Sequence, residues 1–499
     1  MFSEEFLTLM YPSSLLHRFG VNGKISGSIG AVGEMRNVIP IIHGPKGCSF
    51  HYRYSARRRH QPFYNIITSD LTEAEIIYGG EEKLCQTILN ANEVYHPDLI
   101  MVISSPVSDI LGEDTRTVSE ALRSQQGIPV VSIASELFSH RDKNFTRKRL
   151  KELANQKITG DNRLEMELKG CGFTEALYAL VEQVMLPAEM VPYSVNIETL
   201  GWGSEGKRIL TEIECFLNRC GISVNCRIPS APLERLVQAP RAQLNLVKRV
   251  RWAKRMKERF GTDYLHIAQL GRYTGLDGIC TFYRDIGSAL GLDEIMEREI
   301  QLVRKQALAQ TEEARVTLSN FHGVLICRDV QMAPFELKLY AQDYGIGITD
   351  LCIILTEEMR RDLDLTEKLE RKLMTRVQDA VNLYSKETRI RVNPDDAMLR
   401  KLFSSADAIV GTSDFSLEGK GAPLIPGMNE NTSLSFESYV RSVNRMRERM
   451  LSRKERNSLL LNQMTFSTRH YPLIDGSKGL AARELWSRLW LHREEMVSK

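Results

Sequence analysis

Residues Val38 to Cys48 read VIPIIHGPKGC, an apolar run followed by a Gly/Pro turn and a cysteine. The apolar run predicts a short buried strand, with Pro40 near a strand end or a sheet edge because proline cannot donate to a ladder. The turn predicts unpaired N–H groups at the start of a helix. There the positive helix end, with Lys46 and Arg53 nearby, favours a thiolate at Cys48. Taken alone, such a cysteine is more often a small buried hydrophobic residue.

The same order of strand, turn and helix recurs through residues 36–133. Amphipathic helices are predicted at Gly80–Tyr95 and Ser108–Arg123. Buried strands that alternate with such helices predict a parallel sheet covered on both faces, with functional loops beyond the carboxyl ends of its strands. The predicted strands are Val38–Ile42, Phe63–Ile67, Leu99–Ser104 and Pro129–Ile133, and the loops expected on one rim are His43–Cys48, Thr68–Glu73 and Ser104–Gly112.

Two further units repeat this alternation. A strand predicted at Tyr193–Thr199 leads into GWGSEGK at Gly201–Lys207 and a helix to about Cys220. This fits G-x-G-x-x-G, but the acidic ribose ligand expected about 20 residues later is missing, so a Rossmann-like turn without a nucleotide is favoured. The charged run Asp293–Arg315 predicts a solvated helix that connects domains. Other strands are predicted at Gln243–Val247, Tyr264–Ile267, Val324–Cys327, Ile348–Leu355, Thr388–Val392 and Ala408–Val410.

A chain of 499 residues is too long for a single core. The pattern predicts an α/β protein with three Rossmann-like, doubly wound parallel-sheet domains. We expect an N-terminal domain at residues 1–160 that contains the cysteine loop, a second at 161–292 and a third at 293–450. Residues 451–499 form a basic C-terminal extension with a helix predicted at Ala481–Arg493.

The composition is that of an ordinary soluble protein, with 42% hydrophobic and 26% charged residues. A net charge of +3 gives no indication of a nucleic acid or membrane partner. No apolar run has spanning length, and the first residues lack a secretion signal, so a cytoplasmic location is expected. The nine cysteines are dispersed and contain no CxxC pair, which indicates a reducing compartment. A metal cluster would have to be shared with another chain.

Four segments together carry a family resemblance: HGPKGC ending at Cys48, TSDLTE at Thr68–Glu73, YGG at Tyr78–Gly80 and GED at Gly112–Asp114. In order and spacing, along residues 25–135, they resemble nitrogenase component 1 and its relatives. In the nitrogenase proteins each subunit contributes three cysteines to a cluster at the subunit interface. Here the first of the other two places falls at Asn22 or within Asn22–Ser28, and the second at Pro106, so neither supplies a thiolate.

A subunit with one cysteine is similar to one partner in the light-independent protochlorophyllide and chlorophyllide reductases and in the nitrogenase cofactor-assembly scaffold. That resemblance implies that Cys48 is the fourth ligand of a 4Fe-4S cluster, with Gly44 and Gly47 around it. It also implies a homologous three-cysteine partner in a heterotetramer. The resemblance further implies a separate P-loop iron–sulfur ATPase that delivers electrons. In agreement with this, the chain has no Walker A motif and is not expected to bind ATP. Cys85 is interpreted as a core residue.

No catalytic residue is identified, but Lys248 and Arg249 are candidates. The family's cofactor-anchoring cysteine follows a strand that here reads LNLVKR, and Pro426–Phe436 lacks the third-domain histidine, so an iron–molybdenum-type cofactor is not expected. Lys248 and Arg249 are expected to bind negative charge on a substrate or cofactor. His43 is interpreted as a turn-stabilising hydrogen bonder. A second basic group either contacts an anionic substrate or an acidic partner, or is a solvated helix end; its members are Arg53, Arg57, Arg58, Arg59 and His60.

Two main function classes remain. The favoured one is a subunit of a nitrogenase-like two-component reductase, which accepts low-potential electrons through the interface cluster and passes them to a substrate. Catalysis by this chain alone is not expected. The other is a non-catalytic scaffold for nitrogenase-type iron–sulfur cofactor assembly. A degenerate interaction subunit without a cluster is a third possibility.

Overall fold

Three parallel sheets organise the chain in a computed structural model that describes residues 24–50, 52, 66–133, 172–200, 204–268, 271–327, 330–355, 357, 360, 365–411, 424–425 and 434–451. The strand orders are β2-β1-β3-β4, β6-β5-β7-β8 and β11-β10-β9-β12-β13. The α/β prediction with three doubly wound units is therefore confirmed. The strands are β1 Val38–His43, β2 Ile67–Thr68, β3 Leu99–Ser104, β4 Val130–Ile133, β5 Val191–Glu198, β6 Ser223–Ile228, β7 Ala242–Val247, β8 Asp263–His266, β9 His322–Cys327, β10 Gly347–Ile353, β11 Arg389–Val392, β12 Ala408–Val410 and β13 Leu424–Ile425.

Helices connect and cover these sheets. Residues 46–50 are helical, Ala239–Arg241 form a 3₁₀ turn and Lys338–Asp343 form a π-helical turn. The labelled helices are α1 Lys24–Val32, α2 Glu73–Tyr78, α3 Glu81–Tyr95, α4 Pro106–Leu111, α5 Thr115–Gln126, α6 Gly172–Gln183, α7 Ser204–Arg219, α8 Leu233–Val237, α9 Val250–Phe260, α10 Gly275–Leu290, α11 Asp293–Leu318, α12 Ala333–Leu337, α13 Glu367–Tyr384, α14 Asp396–Ser405 and α15 Phe436–Leu451. None of the described helices is long and apolar enough to cross a bilayer.

The first sheet has two apolar faces, which explains why β1 reads as a nearly continuous apolar run. Ile41 packs in a layer with α3 and α5, whereas Ile42 packs in the opposite layer with α1 and α6. β1 lies between β2 and β3, so Pro40 occupies an interior strand, contrary to the expectation of an edge or strand end. The described residues of β2 pair with Ile41 and Ile42 and do not reach Pro40.

The single helix predicted at Ser108–Arg123 is wrong, because the structure has two helices there. Gly112 ends α4 in the left-handed region at φ 73°, where glycine has no steric cost. Asp114 then caps α5 and accepts the N–H groups of Arg116 and Thr117 at 3.1 and 3.0 Å. This break places Glu113 between the two helices, from where its side chain reaches the end of β1.

The first and second sheets are joined through α6. It packs closely against α1, because a Cβ on Gly27 would lie 2.6 Å from the amide nitrogen of Phe173. On its other side, Arg251 and Arg255 of α9 form ion pairs with acidic residues of α6. The domain boundaries near residues 160 and 292 stay predictions.

The charged run after residue 293 is not a solvated connector, because α11 has a buried apolar face. Met296, Ile300 and Leu318 are fully buried there, and α11 packs against both α10 and α15. Its charges occupy the remaining surface. The helix predicted at Ala481–Arg493 lies outside the described residues.

Candidate metal centre

The cysteine loop leaves the carboxyl end of β1 and is held by the end of β2. The amide of Gly44 donates to Ser69 Oγ at 3.0 Å. The carbonyl of Gly44 accepts from Thr68 Oγ1 at 2.9 Å and from the amide of Leu71 at 3.2 Å. The amide of Cys48 donates to the carbonyl of Pro45 at 3.0 Å, which closes the turn. The short side chains of Thr68 and Ser69 therefore hold the backbone at Gly44, just before Cys48.

Gly44 is required by a close approach to Ser105. A Cβ at Gly44 would lie 2.6 Å from Ser105 Cβ, and the Ser105 amide donates to the His43 carbonyl at 3.0 Å. Ser105, rather than the exposed Pro106, is therefore the residue that adjoins the cysteine loop. A Cβ at Gly47, in contrast, would meet no described atom within 4 Å. Gly47 faces space that another molecule can fill.

His43 is fully buried beneath this loop and has a polar neighbour at each ring nitrogen. Its Nδ1 lies 2.9 Å from Ser69 Oγ, and its Nε2 contacts the carboxylate of Glu113. Burial lowers the pKa of His43, and the opposing Glu113 charge only partly offsets this. The neutral tautomer that fits carries its proton on Nε2 and accepts the Ser69 hydroxyl at Nδ1. Ser69 Oγ links His43 Nδ1 to the amide of Gly44, and Glu113 also accepts the Gly80 amide. These contacts agree with the prediction that His43 is a turn-stabilising hydrogen bonder.

Cys48 itself is partly exposed at the margin of the core layer that contains Ile42. Burial raises the pKa of its thiol, which acts against the expected preference for a thiolate at this position. Lys46 does not supply the predicted field, because its exposed ammonium pairs with Asp70 at 3.0 Å. A metal nevertheless deprotonates a thiol that it ligates.

The donor set fits a shared cluster and does not fit a self-contained site. Within the described part of the chain, no three His, Cys, Asp or Glu side chains converge to hold a metal ion. Cys85 packs in the layer of Ile41, on the opposite face of the sheet from Cys48, as a core residue does. The described part of this loop thus contains one partly exposed thiol, that of Cys48.

Large apolar side chains surround this edge of the first sheet. Phe50 follows Cys48, Ile77 and Tyr78 end α2, and Ile110 lies on α4. Their exposed fractions are 68%, 72%, 88% and 70%. We call these four residues the apolar rim. Such a group of exposed apolar side chains indicates an interaction surface.

Lys24 and Asp109 form a charged pair at the same edge, which the sequence reasoning did not identify. Lys24 Nζ donates to Ser104 Oγ and lies 3.6 Å from Asp109 Oδ2. The exposed fractions of the two side chains are 12% and 7%. Burial lowers the pKa of Lys24 to about 8, against the attraction of Asp109. Neither residue belongs to a sequence motif, so the sequence alone gives no sign that the two are close together.

Lys248 and Arg249 follow β7, at the carboxyl end of the second sheet as predicted. The fully buried Glu198, at the end of β5, accepts both of their amides at 2.9 and 3.0 Å. It also accepts the indole of Trp252 at 3.1 Å and pairs with the Arg249 guanidinium. That guanidinium lies 3.8 Å from the ring centroid of Phe173. The predicted anion-binding side chain of Arg249 is thus directed at its own chain, with 23% of it exposed.

A further carboxylate, Glu34, faces Lys248 and Arg249 from the segment after α1. Burial raises its pKa, and the Thr199 hydroxyl and the two basic residues act in the opposite direction. Lys248 thus shares its surroundings with two carboxylates of its own chain. The predicted contact residues Arg53, Arg57 and Arg58 lie outside the described residues, as do Asn22 and residues 201–203.

Comparisons with known proteins identify the family of the chain. A family model described as nitrogenase component 1 type oxidoreductase matches residues 24–163 and 167–423. The chain is 25% identical over 328 residues to the nitrogenase iron-molybdenum cofactor biosynthesis protein NifE of Methanococcus maripaludis, which covers 64% of this chain and 61% of that protein. It is 25% identical over 311 residues to one subunit of the light-independent protochlorophyllide reductase of Heliobacterium modesticaldum, covering 60% and 53%.

The match to these relatives spans only about half to three fifths of their length. Among solved structures, nitrogenase Cp1 at pH 5 superposes with a TM-score of 0.53 at 18% identity, covering 86% of this chain and 88% of that one. This likeness supports the fold. The family match covers most of the chain, and the chain belongs to the family of nitrogenase component 1 type oxidoreductases.

Proposed function

We propose that this chain is one subunit of a nitrogenase-like complex, in which Cys48 supplies a single ligand to a 4Fe-4S cluster shared with a homologous three-cysteine subunit. The observation that carries the proposal is a lone, partly exposed thiol on a rigid loop, beside a glycine that faces open space. When bound, such a cluster supplies one-electron transfer.

The chain's own residues would hold the cluster loop in a fixed geometry. Ser69 and Ser105 fix Gly44 from two sides, and the buried His43–Glu113 pair stabilises the same turn from below. Ligands that are rigidly held in this way need no rearrangement when a metal binds. The amides of Lys46 and Gly47, in the first turn of the helix that carries Cys48, would offer hydrogen bonds to cluster sulfur.

The apolar rim would form the contact with the partner subunit. Its four side chains lie on segments that follow β1, β2 and β3, so they surround the loop that presents Cys48. Burial of large apolar side chains drives association between subunits, at about 25 cal/mol per Å² of apolar surface. A partner on this surface would also cover Gly47 and exclude water from the cluster.

A variant with both Ile77→Asp and Tyr78→Asp tests the docking surface. We expect at least a tenfold weaker association with a co-expressed three-cysteine subunit, because charges would be buried without partners. Val94→Asp is the matched control, since Val94 is 67% exposed but lies in the last turn of α3, near the amino end of β3. Equal loss of association in both variants would argue against the apolar rim.

Electron transfer to a substrate is the first candidate activity, with electrons delivered by a P-loop iron–sulfur ATPase. Assembly of an iron–sulfur cofactor is the second, and a specific observation favours it: the Methanococcus maripaludis protein to which the chain is 25% identical is a nitrogenase iron-molybdenum cofactor biosynthesis protein. Arg249 pairs with Glu198 of its own chain. This is compatible with both candidate activities, because neither activity requires this chain to anchor a large cofactor through a thiolate.

One experiment separates the two candidates. The complex, purified without oxygen with its partner and the ATPase, is supplied with ATP and dithionite and followed by electron paramagnetic resonance. If the complex is a reductase, its reduced cluster is re-oxidised when substrate is added, and ATP is consumed in proportion to the substrate that is reduced. A scaffold transfers iron to an acceptor apoprotein and shows little turnover. A complex that contains no cluster iron would refute both.

A further inference from the structure

We infer that Lys24 and Asp109 form a charge pair that tunes the reduction potential of the cluster held by Cys48, with Lys24 raising the potential and Asp109 lowering it. This inference rests on the proposed function. Neither residue would ligate the cluster; each would act on it through the electric field of its charge.

The first step is that Lys24 and Cys48 lie on the same face of the first sheet. Cys48 packs against the core layer that includes Ile42 and Ile103, and Ile25, the neighbour of Lys24, belongs to that layer. His43 and Glu113 lie beneath the cysteine loop and are bonded to each other rather than to Lys24.

The second step is that both lie at the same edge of that face. Lys24 Nζ donates to Ser104 Oγ, and Ser104 is the last residue of β3. Its register partner in β1 is His43, and the next residue, Ser105, is the close neighbour of Gly44. The ammonium is therefore held beside the segment that packs against the cysteine loop.

The third step is that these charges are weakly screened. Both side chains are nearly nine-tenths buried or more, and the Ser104 hydroxyl holds the ammonium in place. Charges in a low-dielectric environment act over longer distances than exposed charges do. Another charged group near Lys24 is Glu175 of α6, whose carboxylate pairs with Arg251 of α9.

The sign follows from electrostatics. Reduction adds one negative charge to a cluster, so a nearby cation stabilises the reduced state and a nearby anion destabilises it. Removal of the Lys24 charge also leaves the negative charge of Asp109 less compensated, which adds to the effect. The two residues therefore predict shifts of opposite sign.

The test measures the midpoint potential of the cluster in the assembled complex by redox titration, followed by electron paramagnetic resonance. Lys24→Met is expected to shift the midpoint to a more negative value and Asp109→Asn to a more positive one. Lys24→Arg, which keeps the charge, is expected to restore the wild-type value. Lys257→Met is the control, because Lys257 pairs with Asp263 at an exposed site of the second unit.

A purely structural role would lower cluster content without opposite shifts in potential. If the variants contain wild-type iron but the midpoints do not move, or move in the same direction, the inference is overturned while the proposed function stands. If Lys24→Met fails to assemble, the sign of the Asp109→Asn shift decides. If the wild-type complex itself contains no cluster, the proposed function fails and the inference with it.

Discussion

The turns after β1 and β7 have a similar sequence pattern but are held by different kinds of side chain. Each follows a buried strand and leads into a helix, and each has basic residues in the turn. After β1, small side chains such as Ser69 hold the backbone, and the thiol of Cys48 stays partly exposed. After β7, the carboxylate of Glu198 reaches from the neighbouring strand and takes up two amides, an indole and the guanidinium of Arg249. The difference between the two turns is one buried carboxylate, which ties the turn after β7 to its own chain.

The largest expected effect on stability follows removal of that carboxylate. Glu198→Ala removes the buried carboxylate that pairs with the Arg249 guanidinium and accepts three N–H groups, so we expect a loss of about 3–5 kcal/mol in the free energy of unfolding. Urea unfolding followed by circular dichroism measures it. Glu120→Ala is the control, because Glu120 forms an exposed pair with Arg116 worth about 0.3–0.5 kcal/mol. Similar losses in both variants would mean that Glu198 is not the anchor of this turn.

A smaller effect is expected at the cysteine loop. Gly44→Ala forces a Cβ against Ser105 and is expected to cost about 1–3 kcal/mol, as overpacking does in a well-packed site. Gly47→Ala is the matched control, since its Cβ meets no described atom and should change the isolated chain by less than about 0.5 kcal/mol. Adding Ser105→Gly to Gly44→Ala should recover part of the loss. Equal losses at both glycines would contradict the account of the loop.

The smallest effect concerns a buried carboxylate that lacks the close arginine pairing of Glu198. Burial raises the pKa of Asp343 to about 7, which Lys338 and Arg315 only partly offset. Because this value lies above that of the unfolded chain, the folded state binds more protons between about pH 4 and 7, and stability falls as pH rises through that window. We expect a fall of about 1 kcal/mol from pH 5 to pH 6.

Asp343→Asn should remove this part of the pH dependence. The measurement is the urea midpoint at pH 5, 6 and 7 for wild type and variant, and the difference between the two slopes is the quantity of interest. Identical slopes would show that Asp343 is ionised in the folded state throughout this range.

Local sequence was sufficient for most of the fold. The apolar runs of β3 and β12 match their predicted bounds, because strands buried on both faces leave a continuous apolar signal. β6 was missed, since its sequence Ser223–Ile228 mixes polar and apolar residues on an edge strand. The break between α4 and α5 was missed because Gly112 and Asp114 act through backbone conformation and capping rather than through hydrophobic spacing.

Only part of the candidate site could be predicted from the sequence. The HGPKGC turn predicts where Cys48 lies, because strand, turn and helix are contiguous. The anchoring of Arg249 depends on Glu198, 51 residues earlier, and the Lys24–Ser104 bond joins residues 80 positions apart. Such pairings arise from the order of strands in the sheet, which no periodicity of a single segment contains.

The central claim is that Cys48 is this chain's own ligand to a shared cluster. Its most direct test is the iron content of the anaerobically purified complex with the three-cysteine partner, measured for wild type, Cys48→Ala and Cys85→Ala. We predict that Cys48→Ala loses most of its cluster iron and its electron paramagnetic resonance signal, while Cys85→Ala, altered on the opposite face of the sheet, keeps both. Equal iron and the same signal in wild type and Cys48→Ala would contradict the claim.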